Sequence, residues 1–278
     1  MTTKNLLVEL FVEELPPKAL KKLGEAFATG IAESLVSQGL ADASSVATPF
    51  ASPRRLAVYV TGVAERAADR QSKQKLMPVA VALDAAGNPT PALLKKLAAL
   101  GADISIVPRL RRESDGKAEV LFMDSVVKGM TLVLGLAKAL WESLDKLPIP
   151  KVMAYQLADG WSTVNFVRPV HGLVALHGAE VVDVQMFGLK AGRETQGHRF
   201  EAKSPIVSIR DADSYAQQME SEGAVIAGFE SRRAEIEKQL KAAAAKEGVK
   251  PTEDEALLDE VTALVERANV LTCRFEQE

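Results

Sequence analysis

The sequence has few of the residues, and none of the short motifs, from which catalytic and metal sites are commonly built. It contains one cysteine, Cys273, and three histidines, His171, His177 and His198. One cysteine excludes an internal disulfide, and the histidine spacing matches no common metal-ligand motif. The motifs GxGxxG, GxxxxGK(S/T) and GxSxG, which hold phosphates or a nucleophile, are also missing. We therefore expect no catalytic residue and no metal ligand in this chain.

An excess of positive charge is also missing. The chain has 34 Lys and Arg against 37 Asp and Glu, a formal net charge of -3. A domain that binds nucleic acid alone normally carries a basic excess, so such a role would need a local patch or a partner. The N-terminal stretch "MTTKNLLVELFVEELPPK" lacks the apolar core of a signal peptide, and no apolar run reaches membrane length. With its lone cysteine, the chain is expected to be cytoplasmic and without membrane contact.

Hydrophobic periodicity predicts an α+β fold that begins with a helix packed on a sheet. The apolar residues 6–12 are predicted to form a strand, residues 56–61 alternate as strands do, and a helix is expected between them after Pro16-Pro17. The apolar positions of that helix recur at helical spacing and are expected to pack on a sheet containing both strands: Leu20, Leu23, Phe27, Ile31 and Leu35. The adjacent acids Glu13 and Glu14 are interpreted as a solvated strand end, because neighbouring strand residues point to opposite faces.

Later segments predict further helices and a hairpin, and near residue 205 the sequence changes to mainly charged helices. A helix is expected from the Thr90 cap to Gly101, a hairpin at Asp115-Gly116, and a helix from Thr131. We divide the chain into residues 1–205, an α+β region with mixed sheets and packed helices, and residues 206–278, mainly charged helices. The final "CRFEQE" resembles a strand with no closing element, so we expect the chain to be truncated before further domains.

Six short motifs occur in one order along the chain: "VELFVEELPPKAL", "FASPRRLAV", "DAAGNPT", "KLPIPKVM", "FVRPVHGLVAL" and "GRETQGHRF". Together they resemble the N-terminal part of the beta subunit of bacterial heterotetrameric glycyl-tRNA synthetase, from about Leu6 to about Phe275. The resemblance implies a region related to the editing-type domain of the phenylalanyl-tRNA synthetase beta chain. It also implies assembly with an alpha subunit, as two alpha and two beta chains, and a contribution to tRNA-Gly binding.

In that family, glycine, ATP and magnesium bind at the separate alpha subunit. The resemblance therefore implies no cofactor in this segment and no activity of the segment alone. One alternative is a non-catalytic scaffold that makes only protein contacts. An editing-type hydrolase is disfavoured, because no nucleophile–base pair or metal-ligand set is visible.

Three short basic segments, each next to a proline or a glycine, supply the candidates for contact with tRNA or with the other subunit. They are Arg54 and Arg55 after Pro53, Arg168 and His171 around Pro169, and Arg193, His198 and Arg199 in a glycine-flanked loop. Arginine forks onto phosphates, but each residue could instead be paired internally or shape a turn. A turn at Gly178 would return the chain toward Arg168. We therefore predict that four of the candidates form a basic patch at one sheet edge: Arg168, His171, His198 and Arg199.

Overall fold

The structure, a computed structural model, describes residues 2–114, 116 and 118–273. The turn residue Asp115 and most of the strand expected for "CRFEQE" lie outside the described residues. The chain divides into two compact units: the smaller spans residues 68–129, and the larger combines the residues before and after it. The boundary expected near residue 205 lies inside the larger unit. Both units contain helices and strands, which confirms the α+β class.

In chain order the elements are β1 (Thr3–Val12), α1 (Pro17–Ser37), β2 (Ala47–Ser52), β3 (Arg55–Ala64), β4 (Arg70–Pro78), α2 (Val79–Ala82), α3 (Pro91–Ala99), a 3-10 helix (Ile104–Arg109), β5 (Arg111–Ser114), β6 (Glu119–Val127), α4 (Leu132–Asp145), β7 (Met153–Gln156), β8 (Thr163–Phe166), β9 (Val170–His177), β10 (Glu180–Val181), β11 (Gln185–Met186), β12 (Leu189–Lys190), β13 (Glu194–Gln196), β14 (Ile206–Ser208), α5 (Tyr215–Ser221), α6 (Phe229–Glu247) and α7 (Glu255–Leu264). No helix among the described residues is long and apolar enough to cross a bilayer.

The larger unit is built on a five-stranded antiparallel sheet in the order β10-β9-β1-β3-β2. One face of its central strand, β1, packs against α1 and α4. The predicted apolar face of α1 is fully buried there, in one cluster with alternate residues of β1 and β3. This confirms the helix-on-sheet arrangement.

The opposite face of the same sheet is also covered. Leu7 of β1 packs with Val207 of β14 and with Tyr215 and Met219 of α5. Successive strand residues alternate between faces, so Glu9 shares this second buried face with Leu7. A carboxylate in the middle of β1 therefore lies in the core and is fully buried.

The chain reverses direction at Gly178, as predicted. β9 pairs with β10 through His177 and Glu180, and Gly178 has a φ of 61°. β10 has only two residues, because after Val181 the chain leaves the ladder and buries Val182 and Val184 in the core.

The smaller unit holds a three-stranded antiparallel sheet, β4-β6-β5, packed against its helices. α3 begins as predicted: the Thr90 hydroxyl accepts a hydrogen bond from the Leu93 N–H at 3.4 Å. The hairpin is also confirmed by the pairing of Ser114 with Glu119. The sequence analysis predicts no strand over Arg70–Pro78, so β4 was missed.

Candidate functional site

A cavity of about 870 Å³ opens on the larger unit where several chain segments meet at the end of β1. We call it the charged cleft. Its charged lining residues are Glu13, Glu14, Arg54, Arg168, Arg199, Glu266 and Arg267, with His198 beside them. Glu13 and Glu14 follow β1, Arg168 precedes β9, and His198 and Arg199 follow β13. The fold therefore joins at one place three of the predicted contact motifs.

Arg168 is fixed at the rim by backbone carbonyls. Its Nε donates to the Glu14 oxygen at 3.0 Å and its Nη1 to the Val167 oxygen at 3.0 Å. No carboxylate within the described residues is recorded as its ion-pair partner. Arg168 therefore keeps its positive charge beside the cleft while the backbone sets its direction.

Arg199 is held much more loosely. Its guanidinium nitrogens lie 3.8 Å from the nearest carboxylate oxygens of Glu13 and of Glu14, and 53% of its side chain is exposed. Exposed pairs at such distances contribute little to stability, so this side chain can be redirected at small cost.

His171 joins the group through Glu13. Its Nε2 lies 2.9 Å from the Glu13 carboxylate, which Arg199 also approaches. The predicted convergence at one sheet edge is therefore present. The predicted all-basic patch is corrected to a mixed-charge cluster, because the two acids that end β1 turn back among the basic residues.

His198 shapes the loop that carries Arg199. Its Nδ1 accepts hydrogen bonds from the backbone N–H groups of Phe200 at 3.3 Å and Glu201 at 3.2 Å. Phe200 is then left 90% exposed at the edge of the cleft.

Arg54 at the wall of the cleft and Arg55 beneath it are paired with one carboxylate. Arg54 Nη2 donates to Glu266 Oε2 at 3.0 Å, and Arg55 Nη1 donates to Glu266 Oε1 at 2.8 Å. Arg54 also donates to the carbonyl of Gly197 at 2.9 Å. Arg55 is fully buried and Arg54 is 5% exposed. In this structure their guanidinium groups are engaged inside the protein and offer almost no surface to a partner.

Glu9 completes this buried network from the other side. Its carboxylate lies 3.6 Å from Nε of Arg55 and accepts hydrogen bonds from the hydroxyls of Thr195 and Tyr215. Burial alone would lower the pKa of Arg55, but the negative charges of Glu9 and Glu266 outweigh it and raise that pKa. Burial and Glu9 also raise the pKa of Tyr215 well above its ordinary value. At neutral pH the network thus holds a charged Arg55 and a neutral Tyr215.

Arg193 is placed apart from the cleft. Its guanidinium donates to the carbonyls of Ala179 at 2.9 Å, Arg210 at 3.2 Å and Ile209 at 3.3 Å. These bonds tie the Gly178 turn to the segment after β14. In the described residues, no group of three or more His, Cys, Asp or Glu side chains is placed to hold a metal ion.

Sequence reasoning missed the carboxylates of the buried network. Glu9 carried a signal, because a lone charge inside the apolar run "LLVELFV" requires a buried partner. Glu266 carried none, since it lies in a charged helical stretch and looks like a surface residue. No residue near Arg54 and Arg55 in the sequence indicated that both would pair with Glu266.

Comparison with known proteins matches nearly the whole chain to one family. A family model described as "Glycyl-tRNA synthetase beta subunit" matches residues 6–278. Proteins named "Glycine--tRNA ligase beta subunit" are similar to this chain in Thiobacillus denitrificans, with 74% identity over 277 residues, and in Leptothrix cholodnii, with 72% over 278. Both alignments cover 100% of this chain but only 40% and 39% of the relatives, so the chain spans about two fifths of their length. The chain belongs to the glycyl-tRNA synthetase beta subunit family.

Proposed function

We propose that this chain is part of the beta subunit of glycine–tRNA ligase and supports tRNA-Gly binding and assembly with the catalytic alpha subunit. The observation that carries the proposal is the 74% identity to a named beta subunit along the full length of the chain. Such similarity makes a shared role in ATP-dependent glycyl-tRNA formation the simplest interpretation.

The roles proposed for the alpha and beta subunits rest on the same family membership. We propose a cytoplasmic assembly of two alpha and two beta chains, with glycine, ATP and magnesium bound at the alpha subunit. This chain would then supply no catalytic residue and would be inactive alone.

We also propose that the α+β region is related to the editing-type domain of the phenylalanyl-tRNA synthetase beta chain. The sheet of the larger unit, with layers on both faces, is compatible with that relation. We assign no hydrolytic role, because a shared fold does not establish function.

The charged cleft is the proposed contact surface for the tRNA backbone in the larger unit. Arg168 is half-buried at the rim in a direction set by carbonyls, and Arg199 can turn from its distant carboxylates toward a phosphate. An arginine offers two parallel hydrogen bonds to a phosphate, which makes it a suitable group for this contact. Arg54 and Arg55 are proposed to support the cleft from below rather than to touch RNA.

The proposal is tested by combining the full-length beta subunit with the alpha subunit, with and without tRNA-Gly. We expect a stable complex that charges tRNA, and no glycine-dependent ATP–pyrophosphate exchange by residues 1–278 alone. Exchange by that segment, or no complex in either condition, contradicts the proposal. A complex whose tRNA affinity does not depend on the beta chain favours the scaffold alternative.

A further inference from the structure

The sheet of the smaller unit has one face on the core, and its other face is open to solvent beside residues 122–126 of β6 but covered at Val120, which is fully buried. In β6, Leu121 and Met123 pack with the helices, while Asp124 and Val126 are exposed. Strand residues alternate between faces, so Phe122 lies on the same open face as Asp124 and Val126. A half-buried aromatic ring therefore stands at the centre of an open sheet surface.

Cations from both neighbouring strands flank Phe122. It is paired in register with Lys75 of β4 on one side and with Arg111 of β5 on the other. Lys73 of β4 places its ammonium group 4.8 Å from the ring centroid. A cation above the ring places one π-face of Phe122 on the open side of the sheet, and a flat ligand that stacks there takes the place of the Lys73 ammonium.

Two acids on the same face partly balance these cations. Lys73 forms an ion pair with Glu113, and Arg111 pairs with Asp124 at 2.7 Å. All four side chains are more than 40% exposed. Exposed pairs contribute little to stability, so a phosphate can replace either carboxylate.

The smaller unit also differs in charge from the rest of the chain. Residues 68–129 contain ten Lys and Arg and seven Asp and Glu, a net charge of +3 in a chain whose total is -3. The sequence alone indicated that nucleic-acid binding would require a local basic region. The open face of this sheet carries three of these cations against two acids, and it adds an aromatic ring to the charges.

We propose that this open face, formed by Lys73, Lys75, Arg111 and Phe122, binds an unpaired stretch of tRNA. A base stacks on the Phe122 ring, and the three cations contact the phosphates on either side of it. Aromatic rings on a basic surface are the usual means of binding unpaired nucleotides, because every base has a π-face and every linkage a charge. The proposal rests on the proposed function of the beta subunit in tRNA binding and adds where one contact lies.

The test uses the complete complex of alpha and beta subunits, with tRNA-Gly as the probe and salt concentration as the variable. Lys73→Gln/Arg111→Gln removes two cations from the open face. Lys95→Gln/Lys96→Gln is the matched control, because it removes two exposed cations from α3 of the same unit. We expect about a tenfold loss of affinity for the first variant, and a log–log salt slope flatter by about 1.4, since each phosphate contact to a single strand contributes about 0.7. The control should change affinity less than about twofold.

Two further variants separate stacking from charge. Phe122→Leu keeps an apolar side chain and should weaken binding several-fold with an unchanged salt slope. Glu113→Gln/Asp124→Asn removes the acids that compete for the cations and should tighten binding. Thermal unfolding of each complex shows whether the unit stays folded.

The outcomes distinguish this inference from the proposed function. Equal losses in the open-face variant and its α3 control, or unchanged affinity in Phe122→Leu, overturn the inference while tRNA binding by the complex stands. A wild-type complex that does not bind tRNA-Gly overturns both. If the open face instead binds an acidic protein surface, alpha-subunit assembly will weaken in Lys73→Gln/Arg111→Gln while tRNA affinity is unchanged, and the inference again fails.

Discussion

Nη1 of Arg55 donates to Oε1 of Glu266 at 2.8 Å, although 211 positions separate the two residues in the sequence. The other oxygen of Glu266 accepts from Arg54 at 3.0 Å. A buried charge is costly unless it is paired, so this contact ties the segment after α7 to β3 and places the lower wall of the charged cleft. The lower wall of the cleft thus depends on a carboxylate that is remote from β3 in the sequence.

Replacing Glu266 by Gln should destabilise the protein strongly. The change removes the charge shared by two buried arginines and leaves both without full compensation, which costs about 3–5 kcal/mol. Urea unfolding followed by circular dichroism measures this loss. The matched control is Glu13→Gln, since Glu13 is half exposed and its pairs are at the surface, where about 1 kcal/mol or less is expected. Equal effects of the two variants would show that burial of Glu266 does not matter.

Replacing Phe27 by Ala tests the contact of α1 with the sheet. The ring is fully buried among residues of the sheet and α4, so its loss should cost about 3–5 kcal/mol through lost burial and a residual cavity. Equilibrium urea unfolding gives the value. Trp141→Ala on α4 is the control, because that ring is 65% exposed and its removal should change the free energy of unfolding little. A Phe27→Ala cost below about 1 kcal/mol would rule out the core contact.

Stability should fall at alkaline pH through Tyr59. Burial and a hydrogen bond to Asp213 at 2.6 Å raise the pKa of Tyr59 to about 12, against an ordinary value of 10.0. Between these two values the unfolded chain releases the tyrosine proton and the folded chain keeps it. The unfolded state then binds fewer protons, so the contribution is full below pH 10 and is lost as pH rises toward 12. Tyr59→Phe should lose less stability than the wild type as pH rises from 10.0 to about 12; parallel losses would remove Tyr59 as the cause.

Arg168→Ala/Arg199→Ala in the full complex tests the charged cleft. We expect weaker tRNA-Gly binding and a salt slope flatter by about 1–2, because two phosphate contacts are lost. Filter binding over a salt series gives both quantities. Lys238→Ala/Lys241→Ala on α6 removes two exposed cations elsewhere in the larger unit and should have little effect. Unchanged binding with reduced stability would mean that the two arginines only shape the loops.

The parts of the fold that local pattern controls were predictable. The face of α1 follows from apolar residues at helical spacing, and the start of α3 from the Thr90 cap and Pro91. The turn at Gly178 follows from a glycine between two apolar strands. Each of these signals lies within a few residues of the structure that it specifies.

The remaining features depend on partners that are distant in the sequence. β4 was missed because its pattern "RQSKQKLMP" is polar on both faces, and its pairing with β6 is what makes it a strand. The burial of Arg55 was missed because its partners, Glu9 and Glu266, come from opposite ends of the chain. The cleft could be foreseen only as a convergence of motifs, and its two acids could not.

The order of strands in the larger sheet has a consequence for synthesis. β1 lies between β3 and β9, and the whole smaller unit is encoded between those two partners. On the ribosome, residues 68–129 can form their own core before β9 is synthesised. During that time the edge of β1 that pairs with β9 has no partner strand. At about 5–20 residues per second, this wait is on the order of ten seconds, long enough for an open strand edge to meet another nascent chain. Slowed translation between β3 and β9 should therefore promote aggregation more than slowed translation after β9.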